Sequence, residues 1–158
     1  MDTCDTPLRT AGRKRFVTPI PRDCQIYESG MSVAGTRFRS DEALRFANGT
    51  GQWLRFETND AHDQYTIRVV GVTDTGKHVL GYVWPELAQR IVRAGLVDQL
   101  KPRLTAINWQ GSYVDVEFQL VGPRSEIERY YDESPARRQP FTAFRTASRK
   151  PTWEQQSP

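Results

Sequence analysis

Asn59-Asp60-Ala61-His62-Asp63-Gln64-Tyr65-Thr66-Ile67-Arg68-Val69, followed by Leu80-Gly81-Tyr82-Val83-Trp84-Pro85-Glu86-Leu87-Ala88, is the stretch on which the fold turns. A polar turn with two acids and a histidine runs into a strand, Thr66 to Val72, rich in β-branched and apolar residues. Asp74-Thr75-Gly76 carries turn chemistry. A return strand, Val79 to Val83, closes the hairpin. Pro85 suits the first position of a helix, where its missing N–H costs nothing. Leu87, Ala88, Ile91, Val92 and Leu96 follow at helical spacing and form a core face, and Gly95 can end the helix.

Outward from this hairpin the pattern stays β. Val33 to Phe38 reads as a first strand and Trp53 to Glu57 as a second. Leu104 to Trp109 is a strand turned by Gln110-Gly111-Ser112. Val114, Val116, Phe118 and Leu120 then alternate with Asp115, Glu117 and Gln119, as in a strand with one buried face. The expected fold is mainly β with one or two helices: an OB-like or SH3-like curled sheet or barrel of six strands. Trp53, Trp84 and Trp109 read mostly as packing, with Trp84 partly exposed at the helix entry.

The 158 residues suggest one domain plus extensions. Residues 1–30 hold Pro7, Pro19, Pro21 and the basic run Arg13-Lys14-Arg15 without periodicity, and read as a disordered basic arm. Residues 31–122 form the β domain. Residues 123–158 read as a short helix, Ser125 to Asp132, then a flexible tail, with Ser125 as a candidate cap. An apolar content of 37% and a mean hydropathy of -0.65 fit a small core with polar extensions.

Net charge is +3, yet residues 31–122 contain ten Lys/Arg and ten Asp/Glu. Broad neutralisation of a duplex is not expected of a neutral core. A pocket gripping one strand end needs fewer cations. Cys4 and Cys24 read as free thiols, with a Cys4–Cys24 disulfide as the alternative. Neither metal nor cofactor is expected, since the two cysteines with His62 and His78 show no ligand spacing. No hydrophobic segment follows Met1-Asp2-Thr3-Cys4-Asp5, and no apolar run approaches the ~20 residues that span a bilayer, so the expectation is a cytoplasmic protein.

Four pieces in order resemble the HIRAN domain, a small β-rich DNA-binding module. They are Gly35-Thr36-Arg37-Phe38, the turn Asp60 to Asp63, the strand Ile67-Arg68-Val69 and the strand end Gly81-Tyr82-Val83. The resemblance covers about Ser32 to Gly122. It implies capture of a single-stranded DNA 3′ end. Arg37 would meet a backbone phosphate, Phe38 would stack on a base, Asp63 would accept from the 3′-hydroxyl, and Tyr82 would line the pocket wall. Asp60 and His62 complete the site, but they stand where the family usually carries asparagine and tyrosine. HIRAN domains accompany fork-remodelling engines, so a role in DNA repair follows, with a helicase or nuclease acting in trans.

Each residue has a plainer reading. Asp60 and Asp63 can form a turn that bonds its own backbone. Phe38 and Tyr82 can be core aromatics, Arg37 a strand-surface cation and His62 a solvated turn residue. The rival function is a protein-interaction module, with Phe141-Thr142-Ala143-Phe144-Arg145 docking a partner. No catalytic residues are expected. Asp60, Asp63 and Asp74 could be proposed for a Mg²⁺ site, but turn and loop acids are common, and no phosphate-binding glycine loop, HExxH or nucleophile triad accompanies them.

Overall fold

The hairpin forms as its sequence demands, and among the described residues five further strands join it in two antiparallel sheets. The computed structural model describes residues 11–58 and 65–132. The first sheet has strand order β1-β6-β7-β2, from β1 (Ala11–Arg15), β6 (Lys101–Gln110), β7 (Tyr113–Pro123) and β2 (Cys24–Ser32). The second has order β3-β4-β5, from β3 (Trp53–Thr58), β4 (Ile67–Thr73) and β5 (Gly76–Tyr82). Among the described residues three α-helices complete the fold: α1 (Ser40–Asn48), α2 (Pro85–Arg93) and α3 (Ile127–Asp132). The fold is mainly β, as expected. Among the described residues it has seven strands instead of six, and the two sheets curl together without closing into a barrel.

Two strands begin inside the stretch expected to be a disordered arm. β1 pairs with β6 from Ala11↔Gln110 to Arg15↔Ala106, and β2 pairs with β7. The basic run sits within β1. Arg13 donates to Asn108 at 2.8 Å, and Lys14 donates to Gln52 at 3.0 Å. β1 and β2 are edge strands held by ladder hydrogen bonds. β1 has no apolar period, and two irregularities in β2 scramble its alternation. Hydrophobic periodicity therefore misses both.

The expected strand Val33 to Phe38 is a second correction. Ala34 makes an isolated bridge to Tyr82, after which Gly35 enters the left-handed region at φ +85° and Thr36–Arg39 form a 3-10 turn. α1 follows directly. Ala43, Phe46 and Ala47 recur at helical spacing and are buried, with Asp41 and Glu42 in the first turn, where the helix dipole favours acids. Ser125 caps nothing either: it lies within a 3-10 turn, Arg124–Glu126, that precedes α3 and has no side-chain cap.

The core runs between the sheets. Ile67, Val69, Leu80, Ile107, Val116, Phe118 and Leu120 are fully buried, joined by Phe46 of α1, Leu87 and Ile91 of α2, Leu96, and Tyr130 of α3. Phe56 meets Phe118 edge-on at 6.1 Å, tying β3 to β7. Trp109 is half-buried across Gly12, whereas Trp53, expected to pack, is 50% exposed. No helix among the described residues is long and apolar enough to cross a membrane.

Candidate functional site

The first and last pieces of the sequence motif meet at one backbone junction. Ala34 N–H donates to Tyr82 O at 2.8 Å, and Tyr82 N–H donates to Ala34 O at 2.9 Å. This pair carries the chain from the first sheet to the edge of the second. Its closeness explains Gly81: a Cβ there would lie 2.0 Å from Ala34 O, and φ is +159°. The first sheet holds the same segment from the other side. Val33 N–H donates to Val116 O at 3.0 Å, and the buried Thr36 Oγ1 donates to Val114 O at 2.8 Å. Gly35 then supplies the turn, with Phe38 N–H bonded to Gly35 O at 3.0 Å.

A turn anchored this way pushes its next side chains outward. Arg37 is exposed and Phe38 is 77% exposed, which overturns the core reading of Phe38. The Arg37 guanidinium lies 4.8 Å from the Phe38 ring centroid, a cation–π distance. The Arg39 guanidinium lies 5.9 Å from the centroid of Tyr82, itself 37% exposed. Arg37, Phe38 and Arg39 line an open surface concavity with Ser40, Asp41, Glu42 and Arg45. Glu42 is engaged, by His78 Nδ1 at 3.0 Å and Arg45 Nη1 at 3.5 Å. No salt bridge joins Arg37 or Arg39 to a described carboxylate.

The exposure of Tyr82 depends on a bulge. From the turn, Thr73↔Gly76, Val72↔Lys77, Gly71↔His78 and Val70↔Val79 pair in step. Then Leu80 is skipped, and Val69↔Gly81 and Arg68↔Tyr82 follow. Without the skip, Tyr82 would pair with Ile67, whose side chain is fully buried. A one-residue slip exchanges the faces of a strand. The bulge thus turns Tyr82 from the core to the outer face, beside Arg68. Glu57 of β3 pairs with Arg68 in the same cross-strand row. Hydrogen bonding from Arg55, at 2.6 Å, holds the Glu57 carboxyl below its usual pKa, with Lys77 a further cation at 3.8 Å.

Of the expected site residues, Arg37 and Phe38 share the concavity, and Tyr82 meets the same turn through Arg39 and the Ala34 bridge. Asp60, His62 and Asp63 lie outside the described residues. Tyr65, just ahead of β4, is described, and its ring lies 5.7 Å from the Arg93 guanidinium of α2. Sequence reading missed Arg39, which reaches Tyr82 only because Thr36–Arg39 form a 3-10 turn instead of a strand. It also gave Arg68 no role, because the register that sets it beside Tyr82 includes a bulge that the pattern does not announce. Comparison with protein-family models, with curated proteins and with solved structures finds no match.

Proposed function

We propose that this chain is a HIRAN-like, non-catalytic module that binds single-stranded DNA and reads its 3′ end during repair or fork processing, with any helicase or nuclease acting in trans. The observation that supports this reading is the exposed Phe38 ring, with Arg37 over it, on a turn whose Arg39 reaches Tyr82 and whose root at Ala34 is doubly hydrogen-bonded to the Tyr82 backbone. An exposed aromatic on a rigid turn is a stacking platform, and base–aromatic stacking contributes about 1–3 kcal/mol per base without sequence preference. An adjacent arginine fork suits a backbone phosphate. In the motif, Asp63 would accept from a free 3′-hydroxyl and repel a terminal phosphate.

The test is a fluorescence titration with matched oligonucleotides ending in 3′-hydroxyl or 3′-phosphate. Tighter binding of the hydroxyl end, with the preference abolished in Asp63→Ala, supports the reading; equal binding of both ends removes end recognition. A second reading, a protein-interaction surface, draws on Asp41 and Glu42, which give the concavity mixed charge. It predicts no binding to either oligonucleotide.

A further inference from the structure

We infer that Arg39 and Arg68 form a second phosphate-binding step on either side of Tyr82, so that the site holds a short single strand and not a lone terminal nucleotide. The inference rests on the single-strand reading above. Two independent pieces of geometry carry it, and the second has a visible cause. The Arg39 guanidinium sits over the Tyr82 ring at 5.9 Å. Arg68 is the direct cross-strand partner of Tyr82, so both side chains leave the same face of the second sheet. The bulge at Leu80 is what creates this pairing, and without it the tyrosine would point into the core.

The arrangement repeats that of the first step. Phe38 has Arg37 over its ring, and Tyr82 has Arg39 over its ring and Arg68 as its cross-strand partner. A repeating unit of aromatic face plus guanidinium matches the repeating unit of a nucleic-acid strand, a base plus a phosphate. The row also has an end. Beyond Arg68 stands Glu57, whose carboxylate is bound by Arg55 at 2.6 Å and approached by Lys77 at 3.8 Å. An anion adjoins Arg68 there, and the next two cations already serve it. The basic row is therefore short, in keeping with ten Lys/Arg against ten Asp/Glu across residues 31–122. The occupant this charge pattern fits is the backbone of a single strand crossing from Phe38 over Tyr82 toward Arg68.

The experiment uses the whole chain and 3′-hydroxyl oligothymidylates of one to six nucleotides, titrated from low to moderate salt. Arg39→Gln and Arg68→Gln are measured beside wild type, with thermal melting to confirm folding. For oligonucleotides long enough to cross Tyr82, each variant should bind about tenfold more weakly at low salt and lose about 0.7 from the slope of log K against log salt, one phosphate's share on a single strand. Binding of the mononucleotide should be unchanged in both. If wild type binds the longer oligonucleotides and both variants match its slope at every length, the second step is overturned while the single-strand reading stands. If wild type binds no oligonucleotide, both readings fall together. Arg39→Lys and Arg68→Lys, which keep the charge, should restore most of the slope; failure to do so in a folded protein also overturns the phosphate contact.

Discussion

Two of the regions in which the chain pairs arginine with an aromatic ring give opposite results. Beneath α3, Arg90 lies 5.9 Å from the Tyr130 ring centroid, and Tyr130 is fully buried. Glu28 of β2 completes the group: Arg90 Nη1 donates to its Oε2 at 2.9 Å, and Tyr130 OH donates to the same oxygen at 2.7 Å. Burial pushes the Tyr130 phenol far above its ordinary pKa, with Glu28 adding to the shift. On the 3-10 turn, Arg37 with Phe38 and Arg39 with Tyr82 repeat the chemistry in the open, with no salt bridge to a described carboxylate. The carboxylate makes the difference. Where the fold supplies one, the pair is a lock between α2, α3 and β2. Where it supplies none, the guanidinium keeps its full capacity for an external anion.

The largest effect should come from breaking the lock. Tyr130→Ala empties a fully buried aromatic site and should cost about 3–5 kcal/mol of stability, read by chemical denaturation. Tyr130→Phe removes only the hydroxyl and should cost about 1–2 kcal/mol. If both variants are as stable as wild type, α3 is not locked and the comparison collapses.

Phe38→Ala should behave in the opposite way. At 77% exposure, the ring contributes little to the core, so stability should change by less than about 0.5 kcal/mol. Binding to an oligonucleotide should weaken by about 1–3 kcal/mol, with the salt slope intact. Arg37→Ala should do the reverse in one respect, lowering the slope by about 0.7. A shared fall in melting temperature would show that the turn is structural and merge the two regions into one class.

The smallest effect concerns Glu57, at the end of the outer row. Its folded pKa is lowered by the hydrogen bond from Arg55. The stability it contributes is therefore present above its ordinary carboxyl pKa and is lost as pH falls through the lower, folded value. Arg55→Ala should therefore lose that small contribution at neutral and alkaline pH and match wild type below the folded pKa, which flattens the acid limb of the stability profile. An unchanged acid limb would mean that Glu57 gains nothing from its cations.

The regular half of this fold was legible because its signals are local. The β4–β5 hairpin has a turn triplet between apolar strands, α2 opens on Pro85, and β7 alternates strictly. The parts that were not legible depend on partners distant in sequence. β1 is strand only because β6 offers it a ladder. Val33 to Phe38 looks like a strand until Gly35 turns left-handed and Thr36 bonds a carbonyl of β7. The site divides in the same way. Arg37, Phe38 and Tyr82 could be nominated from motif spacing, but Arg39 and Arg68 could not. Their places follow from a 3-10 turn and from one skipped residue in a ladder.

The Ala34–Tyr82 bridge places the exposed face at the joint between the two sheets. One of its aromatics rides on a turn rooted in the first sheet through Thr36 and Val114, and the other ends a strand of the second. A molecule gripped by both rings would act as a strut across that joint. Its grip would resist any sliding of one sheet over the other, and looseness between the sheets would in turn be felt as a change in the gap between the rings. Gly81, with no side chain to hold the strands apart, keeps the joint closed enough for that transmission to work.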